Sequence, residues 1–167
     1  SGLFYYIMPI EAIRRKECEG GDVMKDYKKV NEYLSNLAIL NVKFHNLHWN
    51  VVGIHFKELH DLTEELYDDL FEKYDAVAEL LKMKGEMPLA RVADYLENAS
   101  VEEVEPKEFS AKEVLEILLN DLTKMRELAL EIRNEADEEG DFVVVNEFED
   151  HIAGYNKNIW FIESMLK

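Results

Sequence analysis

The sequence predicts an all-α fold, a bundle of four long helices with one long crossover between the second and the third. Apolar residues recur at steps of three and four over four separate stretches, and glycine, proline and capping residues fall between them. The gaps between the stretches run short, long, short, the pattern of two hairpins joined by a single long connection.

The first stretch carries Val30, Leu34, Leu37, Leu40, Phe44, Leu47 and Val51 along one helical stripe, and Gly53 ends it. The second carries Leu59, Leu62, Leu66, Leu70, Tyr74, Val77 and Leu81, and stops at Gly85 and Pro88. "SAKE", from Ser110 to Glu113, has the spacing of a capping box and opens a third helix with Leu115, Leu118, Leu122, Met125, Ala129 and Ile132. Gly140 closes that helix, and Asp141 is placed to cap a fourth with Phe148, Ile152, Tyr155, Ile159, Ile162 and Leu166. No strand is expected; "FVVV" at 142–145 is where one would compete, and its neighbours favour the start of a helix. Some two dozen residues separate the second and third helices, enough to cross the length of the bundle as in ferritin-like folds, and "LARVADYLEN" within them suits a short extra helix.

Composition bounds the rest. With 167 residues, 47% hydrophobic and 33% charged, the chain fits one domain, read as an N-terminal extension over 1–24 and a bundle over 25–167. Cys18 is the single cysteine, which excludes an intrachain disulfide and agrees with a reducing, cytoplasmic setting. The opening "SGLFYYIMPI" lacks a basic lead and is far shorter than the ~20 residues of a membrane span, so neither a signal peptide nor a membrane anchor is expected. A net charge of −17 opposes binding of bare phosphate backbones and favours metal cations as partners. The basic residues near the N-terminus, among them Arg14, Arg15, Lys16 and Lys25, are balanced by Glu11, Glu17, Glu19 and Asp22, unlike a lysine-rich DNA-binding arm.

Chemistry concentrates in "KFHNLHWNVVGIHFKELHDLTEELYDDLFEKYDAVAEL", residues 43–80, which holds four of the five histidines. His48 follows Leu47 and His60 follows Leu59, so both sit at the edge of an apolar stripe beside the same turn. Glu64 lies one helical turn beyond His60, and Asp75 and Glu79 repeat that spacing further along. Together these five could ligate two metal ions, yet roughly 22 Å of helix separates His60 from Asp75. Either the groups do different work, or a second copy runs antiparallel and offers its Asp75 and Glu79 to the first copy's His60 and Glu64. The stripe His60, Glu64, Tyr67, Asp68, Phe71, Asp75, Glu79 is polar at both ends and aromatic in the middle, which suits a two-fold axis. Against this stands a solvated acidic face with interfacial histidines.

The same segment closely resembles the signature region of the Dps family, ferritin-like proteins that protect DNA during starvation. H-N-x-H-W, G-x-x-F-x-x-x-H and the D-x-x-x-E of the second helix carry the likeness, which extends over about residues 25–167 to the "NIWFIESML" ending. It implies a ferritin-like four-helix bundle, a hollow shell of twelve subunits built from two-fold dimers, and di-iron ferroxidase centres between two-fold-related subunits. Carried over residue by residue, His48, His60 and Glu64 come from one subunit and Asp75 and Glu79 from its mate. The implied activity is oxidation of Fe(II), with hydrogen peroxide preferred over oxygen, storage of ferric oxide, and protection from oxidative damage. Trp49 stands where the family has a tryptophan near the irons, placed either to accept stray oxidising equivalents or to pack in an interface. His45 is read as outside the ligand set, His55 as a helix-start residue and His151 as a structural histidine. At the family's three-fold pores, Asp137 and Asp141 fit an acidic funnel, while Phe142 and Asn146 replace aspartates common in relatives.

Other classes remain as alternatives. A nucleoid-compacting protein with iron handling secondary would need affinity for DNA that the charge opposes. A ferritin building its metal site inside one bundle would carry E-x-x-H pairs, and the chain has none. A shell protein that has lost catalysis would not be expected to keep all five ligand positions.

Overall fold

The computed structural model describes residues 24–167. Cys18, the apolar opening segment and the charge-balanced arm before Met24 lie outside the described residues. The helices are α1 (Lys28–Asn50), α2 (Phe56–Met83), α3 (Val92–Asn98), α4 (Ala111–Glu138) and α5 (Phe142–Leu166). The stripes read from the sequence face inward: every predicted core residue of α1 and α4 is buried, and those of α2 and α5 are buried or packed against the core. Met24 and Tyr27 join the same core.

Local chemistry sets the helix ends. Ser110 Oγ accepts from the Glu113 amide at 3.2 Å while Glu113 Oε2 accepts from the Ser110 amide at 2.8 Å, the reciprocal capping box that the sequence spells. Gly140 turns the chain at φ 74°, a conformation that penalises any side chain, and delivers Asp141 to cap α5 through the Val144 amide at 3.3 Å. The "FVVV" segment accordingly continues as helix. The acidic-funnel reading of Asp141 fails here. Its carboxylate is wholly buried and lies 2.7 Å from Lys84 Nζ, so it serves the α4–α5 turn and faces no pore.

The expectation of no strand is also corrected. Val51–Val52 (β1) and Phe109–Ser110 (β2) pair in parallel, with Val51 opposite Phe109. Two residues are too few to leave a period-two pattern, and the pairing partner is set by where the crossover arrives. That crossover is tied to α1 by asparagines. Asn31 Oδ1 accepts from the Leu89 amide at 3.1 Å, Asn36 Oδ1 from the Ser100 amide at 2.7 Å, and Asn46 Nδ2 donates to the Val104 carbonyl at 3.0 Å. Partners at 31, 36, 46 and 51 on one side thus meet 89, 100, 104 and 109 on the other, in ascending order. The connection therefore climbs α1 from its start to its end and sets α4 running back down, antiparallel to α1. An ion pair lies inside the bundle: Lys43 Nζ is 2.7 Å from Asp121 Oδ2, with side chains only 5% and 1% exposed. Burial raises the Asp121 carboxyl above its ordinary range even with the ammonium beside it.

Candidate metal centre

The short link between α1 and α2 brings the last turn of one helix against the first turn of the next. His48 and His60 meet there with rings stacked at 3.6 Å between centroids and 18° between planes. Each imidazole uses Nδ1 on the other's backbone: His48 Nδ1 lies 2.7 Å from the His60 carbonyl oxygen, and His60 Nδ1 lies 2.9 Å from that of His48. A carbonyl only accepts, so both Nδ1 atoms carry hydrogen and both Nε2 atoms are left to offer a lone pair. This exchange fixes ring orientation and tautomer at once. Thr63 supports it from within, donating Oγ1 to the Leu59 carbonyl at 2.7 Å while standing 3.1 Å from His48 Nδ1.

Around the pair stands an aromatic shell. Phe56 stacks on His60 at 5.1 Å, and Tyr67 meets His48 edge-on at 5.2 Å. His45 stacks on Tyr67 at 3.7 Å and commits Nδ1 to its own helix, at 2.6 Å from the Asn41 carbonyl. Asn41 Nδ2 reaches across to the Tyr67 carbonyl at 3.0 Å and locks the two helices in register. Trp49 leans on His45 at 5.6 Å and is 69% exposed. Sequence spacing did not single out Thr63 or Asn41, because their role depends on which side chains the hairpin turn places opposite them.

Glu64 stands on the exposed face of α2 within 3.5 Å of the Tyr67 hydroxyl, one turn beyond His60. Asp75 and Glu79 are exposed too, on the same helix but near its other end. The structure thus joins His48 to His60, sets Glu64 one turn further along α2, and holds Asp75 and Glu79 apart. Among the described residues of one chain, no three His, Cys, Asp or Glu side chains converge in a group able to hold a metal ion. Between the two groups α2 presents Phe71, an exposed aromatic.

The remaining histidines fit their expected roles. His55 occupies the residue before α2 and lies 3.3 Å from Glu58. His151 is buried with both ring nitrogens engaged, Nδ1 with the Tyr33 hydroxyl and Nε2 with Glu147, each at 3.0 Å. Burial and the charge of Lys73 push its pKa down to about 3.

Comparison with known proteins adds relatives to this geometry. The ferritin-like domain family matches residues 27–167. The chain is 31% identical to the DNA protection during starvation protein of Helicobacter pylori over 143 residues, covering 86% of this chain and 99% of that one. Its fold superposes on the crystal structure of a Dps protein from Bacillus brevis with a TM-score of 0.80 at 33% identity, covering 86% of this chain and all of the other. A Dps protein from Vibrio cholerae, described as a member of a broad superfamily of ferritin-like diiron-carboxylate proteins, matches with a TM-score of 0.80 at 27% identity, over 83% of this chain and 87% of its own. No helix among the described residues is long and apolar enough to cross a membrane.

Proposed function

The chain belongs to the Dps family of ferritin-like proteins, and from that premise we propose that it is a ferroxidase and iron-storage miniferritin whose catalytic centre is shared between two copies. Fe(II) is its substrate. His48, His60 and Glu64 of one copy bind the ion together with Asp75 and Glu79 of an antiparallel neighbour, and six such dimers close a hollow dodecamer that stores the ferric product. The observation that carries the reading is the incompleteness of each half. Two imidazoles with fixed tautomers keep their Nε2 lone pairs unspent at one end of α2, and two carboxylates stand exposed near its other end, roughly 22 Å of helix away.

The donor types fit the redox change. Imidazole nitrogen suits Fe(II), and carboxylates favour the Fe(III) that follows. Two Fe(II) ions pass two electrons to one hydrogen peroxide, which takes up two protons and leaves as two waters. Because the oxidant is consumed in that step, iron and peroxide are kept from generating hydroxyl radicals in the cytoplasm. Exposed Trp49, beside the imidazoles, is positioned to intercept an oxidising equivalent that escapes.

Optical measurement of Fe(II) oxidation, with peroxide and with oxygen in separate runs, tests the activity and ranks the oxidants. His60→Ala and the pair Asp75→Ala, Glu79→Ala each lower the rate by more than the roughly 10–100-fold typical of losing a ligand's supporting contact. Mixing tests the sharing. A dimer of one His60→Ala chain and one Asp75→Ala, Glu79→Ala chain has one centre broken twice and one intact, so randomly reassembled mixtures recover about a quarter of the parent rate. Mixtures as inactive as their parents would place all ligands in one chain. DNA binding as the main activity predicts that plasmid is retarded in a gel at low salt with chelator present; the net charge of −17 predicts free migration.

A further inference from the structure

We propose that Tyr33, hydrogen-bonded between His151 and Tyr155 in the bundle core, is a redox site that traps a single oxidising equivalent as a neutral tyrosyl radical. The arrangement spans three helices. Tyr33 comes from α1; His151, Tyr155, Glu147 and Phe148 come from α5; Lys73 and Asp69 flank them from α2. The Tyr33 hydroxyl lies 3.0 Å from His151 Nδ1 and 2.5 Å from the Tyr155 hydroxyl, and both phenols are essentially without solvent exposure. His151 Nε2 lies 3.0 Å from Glu147 Oε1, whose side chain is 35% exposed and reaches the surface.

Hydrogen positions follow from the partners. A carboxylate accepts, so Nε2 of His151 carries the hydrogen and Nδ1 presents a lone pair to Tyr33. The single Tyr33 hydrogen then points at His151, and the Tyr155 hydroxyl donates to the Tyr33 oxygen. Oxidation balances within this chain of bonds. Tyr33 loses one electron to a one-electron oxidant of the hydroxyl-radical class, such as arises where Fe(II) meets peroxide. Its O–H bond breaks and the proton forms an N–H bond at His151 Nδ1. The resulting imidazolium lies against the Glu147 carboxylate, and the phenoxyl oxygen keeps the hydrogen bond from Tyr155. Without such an acceptor, oxidising a buried phenol would leave an unpaired positive charge in a medium that solvates it poorly. Burial, the nearby Tyr155 and the carboxylates of Asp69 and Glu147 hold Tyr33 in its protonated form at rest.

The other described tyrosines lack this provision. The buried Tyr27 hydroxyl has no side-chain base as partner among the described residues. Tyr95 donates to the Leu89 carbonyl at 2.8 Å and Tyr74 lies 2.6 Å from Tyr95, and neither a carbonyl nor a phenol is a useful base. Tyr67 is 3.5 Å from Glu64 on an exposed face. A buried polar network can instead serve only to fix the packing of three helices, and that role predicts no radical.

The test uses the full chain free of iron, so it stands or falls separately from ferroxidation. A ruthenium tris-bipyridyl photosensitiser with persulfate supplies the one-electron oxidant, and the frozen sample is read by electron paramagnetic resonance. The expected result is a long-lived tyrosyl signal that falls severalfold in Tyr33→Phe. In Glu147→Gln, altered at the rim of the core, the signal decays severalfold faster because the imidazolium loses its counter-charge. Electron–nuclear double resonance on the unmutated chain should find two hydrogen-bonded protons on the phenoxyl oxygen, one from His151 and one from Tyr155, and this needs no variant to fold. An absent tyrosyl signal, one unchanged in Tyr33→Phe, or a phenoxyl oxygen with fewer than two bonded protons overturns the proposal.

Discussion

His48 and His60 at the α1–α2 turn, and His151 in the middle of the bundle, are the same side chain put to opposite uses. Each imidazole of the turn commits Nδ1 to a carbonyl and keeps Nε2 clear, while His151 has a partner on both nitrogens. The difference teaches what makes a histidine fit to ligate. Burial alone does not decide it, since His48 is also buried. What decides is whether the second nitrogen is spent within the fold. The pair at the turn is rigid and unfinished; the one in the core is rigid and complete.

Matched substitutions break or sharpen this contrast. The largest effect on stability is expected from His151→Ala, which leaves a cavity and removes the acceptor of a buried phenol, at a cost of about 2–4 kcal/mol in urea unfolding. His60→Ala, at a half-buried turn, is expected to cost about 1 kcal/mol while abolishing iron oxidation. Equal losses of stability at both positions would erase the distinction. Acid gives the next effect. An unfolded His151 takes a proton near 6.5, and the folded one only near 3. Stability from this group is therefore full above about pH 6.5 and declines as pH falls from there toward 3, by an amount on the order of a few kcal/mol. Denaturation midpoints between pH 7 and pH 5 detect the onset, and His151→Gln should flatten it.

Smaller effects probe the support of the turn pair. Thr63→Val removes the hydroxyl beside His48 Nδ1 and is expected to cost about 1 kcal/mol, with slower iron oxidation and no change in the acid profile assigned to His151. Trp49→Phe is the smallest, within about 0.5 kcal/mol by thermal or chemical unfolding of the separated chain, because the indole is 69% exposed. In the assembled protein the same change should weaken association measurably if Trp49 is covered by a neighbour, which sedimentation at graded concentration would register.

Much of this was readable from residues 25–167. The stripes, Gly53, Gly85 and Gly140, the capping box at Ser110 and the cap at Asp141 each act within a few residues along the chain, so local spacing predicts them. His48 and His60 could be paired from sequence because a short link forces the ends of two helices together. Their reciprocal bonds could not, since these depend on ring rotation at the turn. Asp141 shows the limit from the other side: one carboxylate suited two roles by position, and Lys84, 57 residues away, selects the cap over the pore. The β1–β2 pairing, the asparagine ties of the crossover and the Lys43–Asp121 pair were likewise out of reach, because each joins residues from distant parts of the chain.

By itself the sequence determined that the chain forms four long amphipathic helices with one long crossover, and that its candidate metal ligands fall in two groups too far apart along α2 to share an ion within one copy. Periodicity and helical rise are local quantities, so residue order suffices for both. Tertiary structure alone decided which nitrogen of His48 and of His60 is left free and that His151 keeps neither. It also decided that Tyr33, an unremarked residue of α1, sits in a hydrogen-bonded chain from Tyr155 through His151 to Glu147. A proton's position on an imidazole is set by the partner across the packing interface, and that partner is known only once the helices have docked.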